Sequence, residues 1–313
     1  MKGLGSLAGV YVLSRDDPAD KPADCMDKCV YEKDGDSSYY CFMKGGGMFS
    51  ECGADDMEMT TASPPSGGND GGDGGGGGEV VQPGGEVPSN KQFCDLSEDH
   101  TMCKYPGPSA ECEVTGREVT AAGRKLILDK HNELRRKVAR GEEKEQPKAS
   151  NMREMVWNDE LAAVAQRWAD QCEFRHDKNR KKLDGTYVGQ NAYMSSSSRE
   201  SDLDAIMLKM DKATLAWYNE VVTASFDPAS IKPFTFNYAA GHYTQVVWAE
   251  SEELGCGQVM FKDGSWYNNI VVCNYAKGGN MGGAAMYEEG DPCSNCPSGY
   301  TCNNSLCAKN PFA

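Results

Sequence analysis

Beyond about residue 91 the apolar positions recur with readable periods. Ile127, Leu134 and Val138, with His131 on the same stripe, follow helical spacing, and Thr120 and Gly141 stand where a cap and a stop are needed, so the pattern predicts a first helix. A second follows Asn158 through Leu161, Val164, Ala165, Trp168 and Cys172, carrying a cysteine onto its buried face. A third runs through Ile206, Met210, Ala213, Trp217 and Val221. The period then shortens. Tyr243 to Ala249 and Leu254 to Phe261 read as strands, Asp263-Gly264 ahead of Trp266 signals a tight turn, and Ser265 to Tyr275 returns as the next strand. Counted outward from that turn, Cys256 and Cys273 come almost opposite one another, within reach of a bridge if the register carries a small offset. Helices on both faces of a short sheet predict an α+β fold, an α-β-α sandwich.

The N-terminal third has a different texture. Lys2 followed by Leu4 to Leu13 has the order of a charged and then apolar segment, interrupted by two glycines and a serine; residues 1–23 read as a leader or a degenerate signal peptide. Residues 24–53 form a small module around Cys25, Cys29, Cys41 and Cys52, with two internal bridges in one of three connectivities. Residues 54–90 are rich in Gly, Pro, Ser and Asp, including the unbroken run Gly74 to Gly78, and cannot bury enough apolar surface to offset the entropy of ordering them. They read as a flexible linker into a main domain over 91–288, followed by a cysteine-rich, hinge-like tail over 289–313.

Fourteen cysteines, an even and clustered count, imply extracellular oxidation, because a reducing compartment rarely accumulates so many. Zinc is the competing account of the spacings Cys25-x-x-x-Cys29 and Cys293-x-x-Cys296, but neither pair is followed by a second with finger-like spacing and no histidine lies close by. A formal charge of −15 and a pI of about 4.8 exclude a nucleic-acid surface. No apolar run approaches the roughly 20 residues of a transmembrane helix.

Four sequence blocks carry a resemblance. His131-Asn132-Glu133-Leu134-Arg135, Gly189-Gln190-Asn191, Gly241-His242-Tyr243-Thr244-Gln245-Val246-Val247-Trp248 and Cys273-Asn274-Tyr275 stand in the order of the signature blocks of the cysteine-rich secretory, antigen-five and pathogenesis-related (CAP) superfamily. Gly279-Asn280 and Tyr287 fall where its last block expects them. Cys94, the run His100 to Pro106, and Cys112 make the arthropod venom-allergen antigen-five proteins the nearest likeness, while the tail resembles the hinge of cysteine-rich secretory proteins. The resemblance implies bridges Cys94–Cys103, Cys112–Cys172, Cys256–Cys273, Cys293–Cys302 and Cys296–Cys307. It also implies a central cleft built by His176, Gln190, Glu220 and His242, in which His176 and His242 could hold a divalent metal such as zinc. Gln190 stands where the family has an acid; it can donate and accept hydrogen bonds but cannot ionise or act as a general base.

Relatives of this kind bind sterols, fatty acids or other lipids in apolar grooves, and here Phe226, Phe234, Phe236 and Tyr238 before the Gly241 block are the candidate lining, with domain core as the competing account. A secreted ligand for an extracellular protein receptor, in venom or immune defence, also fits the fold. A metal-dependent protease or hydrolase is the enzymatic alternative. Against it, the chain has neither a Gly-x-Ser-x-Gly elbow nor a His-Glu-x-x-His helix, and fully paired cysteines leave no free thiol. Only Glu220 with a histidine-bound water could serve hydrolysis, so the sequence reads as a non-enzymatic binding protein for which zinc is optional. Mild proteolysis is expected to cut within residues 54–90 and release a stable C-terminal fragment, followed by mass spectrometry; cleavage inside the main domain with the linker intact would contradict the boundary.

Overall fold

In a computed structural model of the protein, residues 88–198 and 210–310 are described, together with the backbone of three short strands nearer the N-terminus. The bridging of Cys25, Cys29, Cys41 and Cys52, nearly all of the 54–90 linker and Ile206 of the third helical pattern lie outside the described residues. The elements are β1 (Tyr11–Ser14), β2 (Cys29–Val30), β3 (Tyr40–Cys41), α1 (Asn90–Leu96), α2 (Thr101–Lys104), β4 (Glu113–Arg117), α3 (Ala121–Ala139), β5 (Val156–Trp157), α4 (Asp159–Ala169), β6 (Gly189–Ser197), α5 (Met210–Tyr218), α6 (Glu220–Thr223), α7 (Gly241–Val246), β7 (Glu253–Asp263), β8 (Trp266–Ala276), β9 (Tyr300–Asn303) and β10 (Leu306–Lys309). The central sheet runs β1-β6-β8-β7-β4, with β5 added at one end of β7.

Helices cover both faces, and strand alternation decides which side chains meet which layer. Val259, Phe261, Ile270 and Val272 face α4 and pack on Ala165, Trp168 and Ala169. Their neighbours Leu254, Cys256, Val271, Cys273 and Tyr275 turn the other way, into a core shared with Ile127, Leu134 and Val138 of α3 and Ala213 and Trp217 of α5. The architecture is an α-β-α sandwich. Glycine permits the close approach of α4: a Cβ on Gly255 or Gly257 would lie 2.2–2.3 Å from the backbone of Ala162 or Gln166.

The predicted first helix is α3, capped by the Thr120 hydroxyl, which accepts from the Gly123 N–H, and ended by Gly141 at φ +70°. The second is α4, capped by Asn158. It stops at Ala169, so Cys172 lies beyond the helix in a left-handed conformation and reaches Cys112 from the loop. The turn between β7 and β8 falls one residue later than Asp263-Gly264, at Gly264-Ser265, and this shift removes the offset: Cys256 and Cys273 are direct register partners and are bridged. Tyr243 to Ala249 is not a strand; Gly241–Val246 is the helix α7. Its β-branched and aromatic residues satisfy strand propensity, but every one of them is buried in a layer where the local hydrogen bonds of a short helix are the ones available.

The five described bridges are Cys94–Cys103, Cys112–Cys172, Cys256–Cys273, Cys293–Cys302 and Cys296–Cys307, the pairings the family pattern implies. The tail packs against the main domain: Leu306 is in the core, the Cys307 N–H donates to Met152 O, and the Glu154 N–H donates to Cys307 O.

Arg135 ties these parts together. Its side chain is fully buried in α3, and its guanidinium donates to the carbonyls of Arg153, Val246, Trp248, Ala249 and Ser251 at 2.7–3.1 Å. Burial, and then the nearby Arg153, push its pKa down to about 9. His131, one turn earlier and equally buried, sets its Nδ1 2.6 Å from Ile127 O and its Nε2 2.9 Å from the Tyr275 hydroxyl; burial pushes its pKa down to about 3.

Arg135→Met is expected to lower stability by ~3 kcal/mol or more in urea unfolding, because it leaves the carbonyls of Arg153, Val246 and Ser251 without their donor and those of Trp248 and Ala249 with a backbone N–H alone. A loss below 1 kcal/mol would contradict this role. The second expectation concerns acid. Because folded His131 stays neutral while the unfolded imidazole takes a proton near pH 6.5, its contribution is complete above that pH. It is lost as pH falls from about 6.5 towards 3, at about 1.4 kcal/mol per pH unit. Unfolding free energies of the protein and of His131→Gln between pH 7 and 5 check it: the variant should show the shallower slope.

Candidate functional site

The four cleft residues come from four different segments, and the structure gathers them beside β6. Gln190 is the second residue of β6 and turns towards the α4 layer, where its side chain meets Asn274. Asn191, the next residue, turns the opposite way and donates to His242 O and the Tyr275 hydroxyl. Glu220 opens α6 and His242 is the second residue of α7. His176 stands in the loop after α4.

Glu220 has both carboxylate oxygens committed. Oε1 lies 2.6 Å from His242 Nδ1, while Oε2 accepts from the backbone N–H of His242 at 2.8 Å and of Tyr243 at 3.1 Å. The carboxylate therefore caps the start of α7 and orients the imidazole together. The His242 ring stacks on Trp217 at 6.3 Å between centroids and is almost fully buried. With Nδ1 held by a carboxylate, Nε2 is the nitrogen that His242 presents to the cleft.

His176 is held by a neutral chain of hydrogen bonds. Asn274 Nδ2 donates to Leu161 O, Gln190 Nε2 donates to Asn274 Oδ1, and Gln190 Oε1 accepts from the Asp177 N–H at 2.9 Å and lies 3.1 Å from His176 Nδ1. The Asp177 N–H can only donate, so it fixes Oε1 on that side, and His176 must donate through Nδ1. Its Nε2 then carries the free lone pair. The ring keeps a solvent-exposed edge, yet crowding by its neighbours, partly offset by the Gln190 bond, lowers its pKa, with His242 and Arg180 adding to the lowering. The two rings are tilted by 42° to one another with centroids 6.4 Å apart.

Both histidines thus use Nδ1 for an orienting partner and leave Nε2 as donor, the arrangement that zinc-ligating histidines adopt. The donor chemistry of the cleft fits a divalent metal. A second cluster, the sulfurs of Cys293, Cys296 and Cys307, lies within 4.8 Å but offers no thiolate, because all three are in bridges.

The four aromatics of the candidate groove separate. Phe226 and Phe234 are core residues, packed edge-on against Tyr243 and Trp248. Phe236 is 45% and Tyr238 79% exposed, and their rings meet at 5.2 Å. The four do not line one groove; only the latter two reach the surface, and Phe236 lies against Gly241 at the entry to α7. Sequence reading missed Asn274 and Asn191, the amides that lock Gln190 and hold the His242 backbone, although both stood inside the matched blocks.

No described helix is long and apolar enough to cross a membrane. The family model described as the Cysteine-rich secretory protein family (CAP) matches residues 128–275. The chain is 41% identical over 233 residues to a CRISP/Allergen/PR-1 protein of Trittame loki, covering 72% of this chain and 53% of that one, so it spans about half the length of that relative. It is 40% identical over 199 residues to Venom allergen 5 of Brachyponera chinensis, covering 60% of this chain and 97% of the relative. The solved structure of NaASP2 with Zn2+ superposes at a TM-score of 0.50 with 31% identity, covering 64% of this chain and all of that one. Signature blocks, bridge pattern, sandwich and near-complete coverage of a venom allergen agree, and the chain belongs to the cysteine-rich secretory protein (CAP) family.

Proposed function

We propose that this protein is a secreted, extracellular, non-enzymatic binding protein whose cleft holds a divalent cation, zinc being the ion to test, between Nε2 of His176 and Nε2 of His242. The observation that carries this reading is the paired commitment of both Nδ1 atoms, one to Glu220 and one to Gln190, which leaves Nε2 of each ring as the free ligand atom on two imidazoles whose centroids are 6.4 Å apart. NaASP2, with 31% identity, was solved with Zn2+. When bound, the metal would supply a Lewis-acidic centre with positions open to water or ligand.

Hydrolysis is disfavoured by Glu220 itself, since its carboxylate already accepts from two backbone N–H groups and holds the His242 imidazole, and taking up a proton as a general base would weaken those contacts. A partner surface is better supported. Phe236 and Tyr238 expose adjacent rings beside the segment that carries His242, which suits a lipid or sterol, or a protein receptor, meeting the domain at the cleft rim.

Calorimetric zinc titration at neutral pH tests the cleft. The protein is expected to bind one zinc, and His176→Ala or His242→Ala to abolish most of the affinity; binding that survives loss of both histidines would place the metal elsewhere. Gln190→Glu adds a second acid at a price: the new oxygen faces Asn274 Oδ1, which is an acceptor held in place by Leu161 O. The carboxyl must take a proton to donate there, so its charge is not gained and zinc affinity should not rise. A clear rise would show that Asn274 reorients.

A further inference from the structure

The sequence Asn303-Asn304-Ser305 is the sole Asn-x-Ser/Thr acceptor pattern in the 313 residues, and it occupies the tip of the C-terminal hairpin, with Asn303 ending β9 and Leu306 beginning β10. Asn303 is solvent-exposed. In a secreted chain such a pattern at an exposed turn is a substrate for N-glycosylation. The folded geometry adds a condition. The Asn303 side-chain amide donates to Glu154 Oε2 at 3.0 Å, and the Ser305 hydroxyl accepts from Arg140 Nε at 3.1 Å. Both groups that the transferring enzyme must engage therefore already hold a contact to the main domain. Asn304 and Ser305 are also held at φ +47° and +73°, and Cys302 and Cys307, paired across the hairpin, are each bridged back to the preceding loop. A closed hairpin cannot open its tip into an acceptor conformation without breaking these contacts.

We propose that Asn303 is an N-glycosylation site and that it is modified before the C-terminal hairpin closes, so that glycan transfer competes with formation of the Cys293–Cys302 and Cys296–Cys307 bridges. The donor is a lipid-pyrophosphate-linked oligosaccharide. The bond between the first sugar's C1 and the pyrophosphate oxygen breaks, C1 bonds to Asn303 Nδ2, the amide gives up one proton, and the lipid pyrophosphate leaves. The Ser305 hydroxyl is the recognition group. In the product Asn303 no longer needs Glu154, which keeps its contact with Arg136 at 2.9 Å. The tip projects where the end of α3 meets the tail, because Arg140, the residue after α3, contacts both Asn304 and Ser305.

This inference rests on the reading of the chain as secreted, and the two are tested separately. Export of the chain under its own N-terminus tests secretion alone. For the glycan, the full chain is expressed in insect cells behind a cleavable secretion leader, and total cell and secreted protein are mapped by mass spectrometry before and after peptide N-glycosidase in heavy-oxygen water. The expected result is an enzyme-removable mass confined to the Asn303 peptide, with Asn303 converted to labelled Asp. Asn303→Gln and Ser305→Ala should lose it, and Ser305→Thr should keep it. An unmodified Asn303 in the leader-driven protein overturns the site. The ordering is read from occupancy in Cys296→Ser/Cys307→Ser, scored on total cell protein so that retention of a poorly folded variant does not hide it. Occupancy should rise above that of the parent, and unchanged or lower occupancy overturns the competition.

Discussion

The rest of the molecule depends on one buried cation. Among the described residues Arg135 has no carboxylate within its hydrogen-bonding reach; its charge is compensated by five backbone carbonyls. An isolated buried charge would be prohibitive, and carbonyl dipoles arranged around a planar fork are one of the few ways to hold it without a partner acid. A lysine could not do this, because an ammonium has three donors on one atom and cannot reach carbonyls spread over residues 153 and 246–251. The consequence is positional: four of those carbonyls belong to the last residue of α7 and the segment leading into β7, so α3 sets where α7 ends and where the long hairpin begins. His242, four residues before Val246, inherits its position from that anchor.

The first turn of α7 is fixed from the other side by the sheet. His131 joins the Tyr275 hydroxyl, that hydroxyl accepts from Asn191, and Asn191 also holds His242 O. A helix of one and a half turns is too short to be stable by its own propensity. Its shape comes from Arg135 at the C-terminal end, Asn191 along its flank and Glu220 at the start. The opposite layer is fixed by volume: Gly255 and Gly257 let α4 sit against the strands, and this brings Leu161 O within reach of Asn274 and so determines which way Gln190 faces.

Legibility in the sequence followed the range of the forces involved. Helices α3 and α4 were readable because caps, periodicity and stop signals lie within the segment, and Thr120, Asn158 and Gly141 each act locally. The α7 segment was misread because its conformation is imposed from outside; Tyr243, Val246 and Val247 have strand propensity, but the partners that decide the matter stand more than twenty residues away at Glu220 and over a hundred away at Arg135. The one-residue error in the β7–β8 turn was of a different kind, since Gly264 supplies the positive φ whether it takes the first or the second turn position, and the bridge between Cys256 and Cys273 distinguishes the two. The four aromatics before Gly241 could not be sorted from sequence either: Phe234 and Phe236 are alike in type, and only the tertiary fold puts one against Trp248 and the other in solvent.

Glu220 shows why architecture and site chemistry cannot be separated here. One carboxylate oxygen caps α7 through the N–H groups of His242 and Tyr243, and the other orients the His242 imidazole. An acid used as a base in turnover has to accept a proton and release it, and protonation here would weaken the cap and the imidazole contact together. The arrangement favours a carboxylate that stays in place. Gln190 makes the matching point on the other side of the cleft: it orients His176 through hydrogen bonds alone, so its side holds geometry without charge. A cleft whose two orienting groups are fixed, one by a helix start and one by a locked amide, holds both imidazoles in a set orientation, and neither orienting group can change its protonation or its partner without loosening the ring it holds.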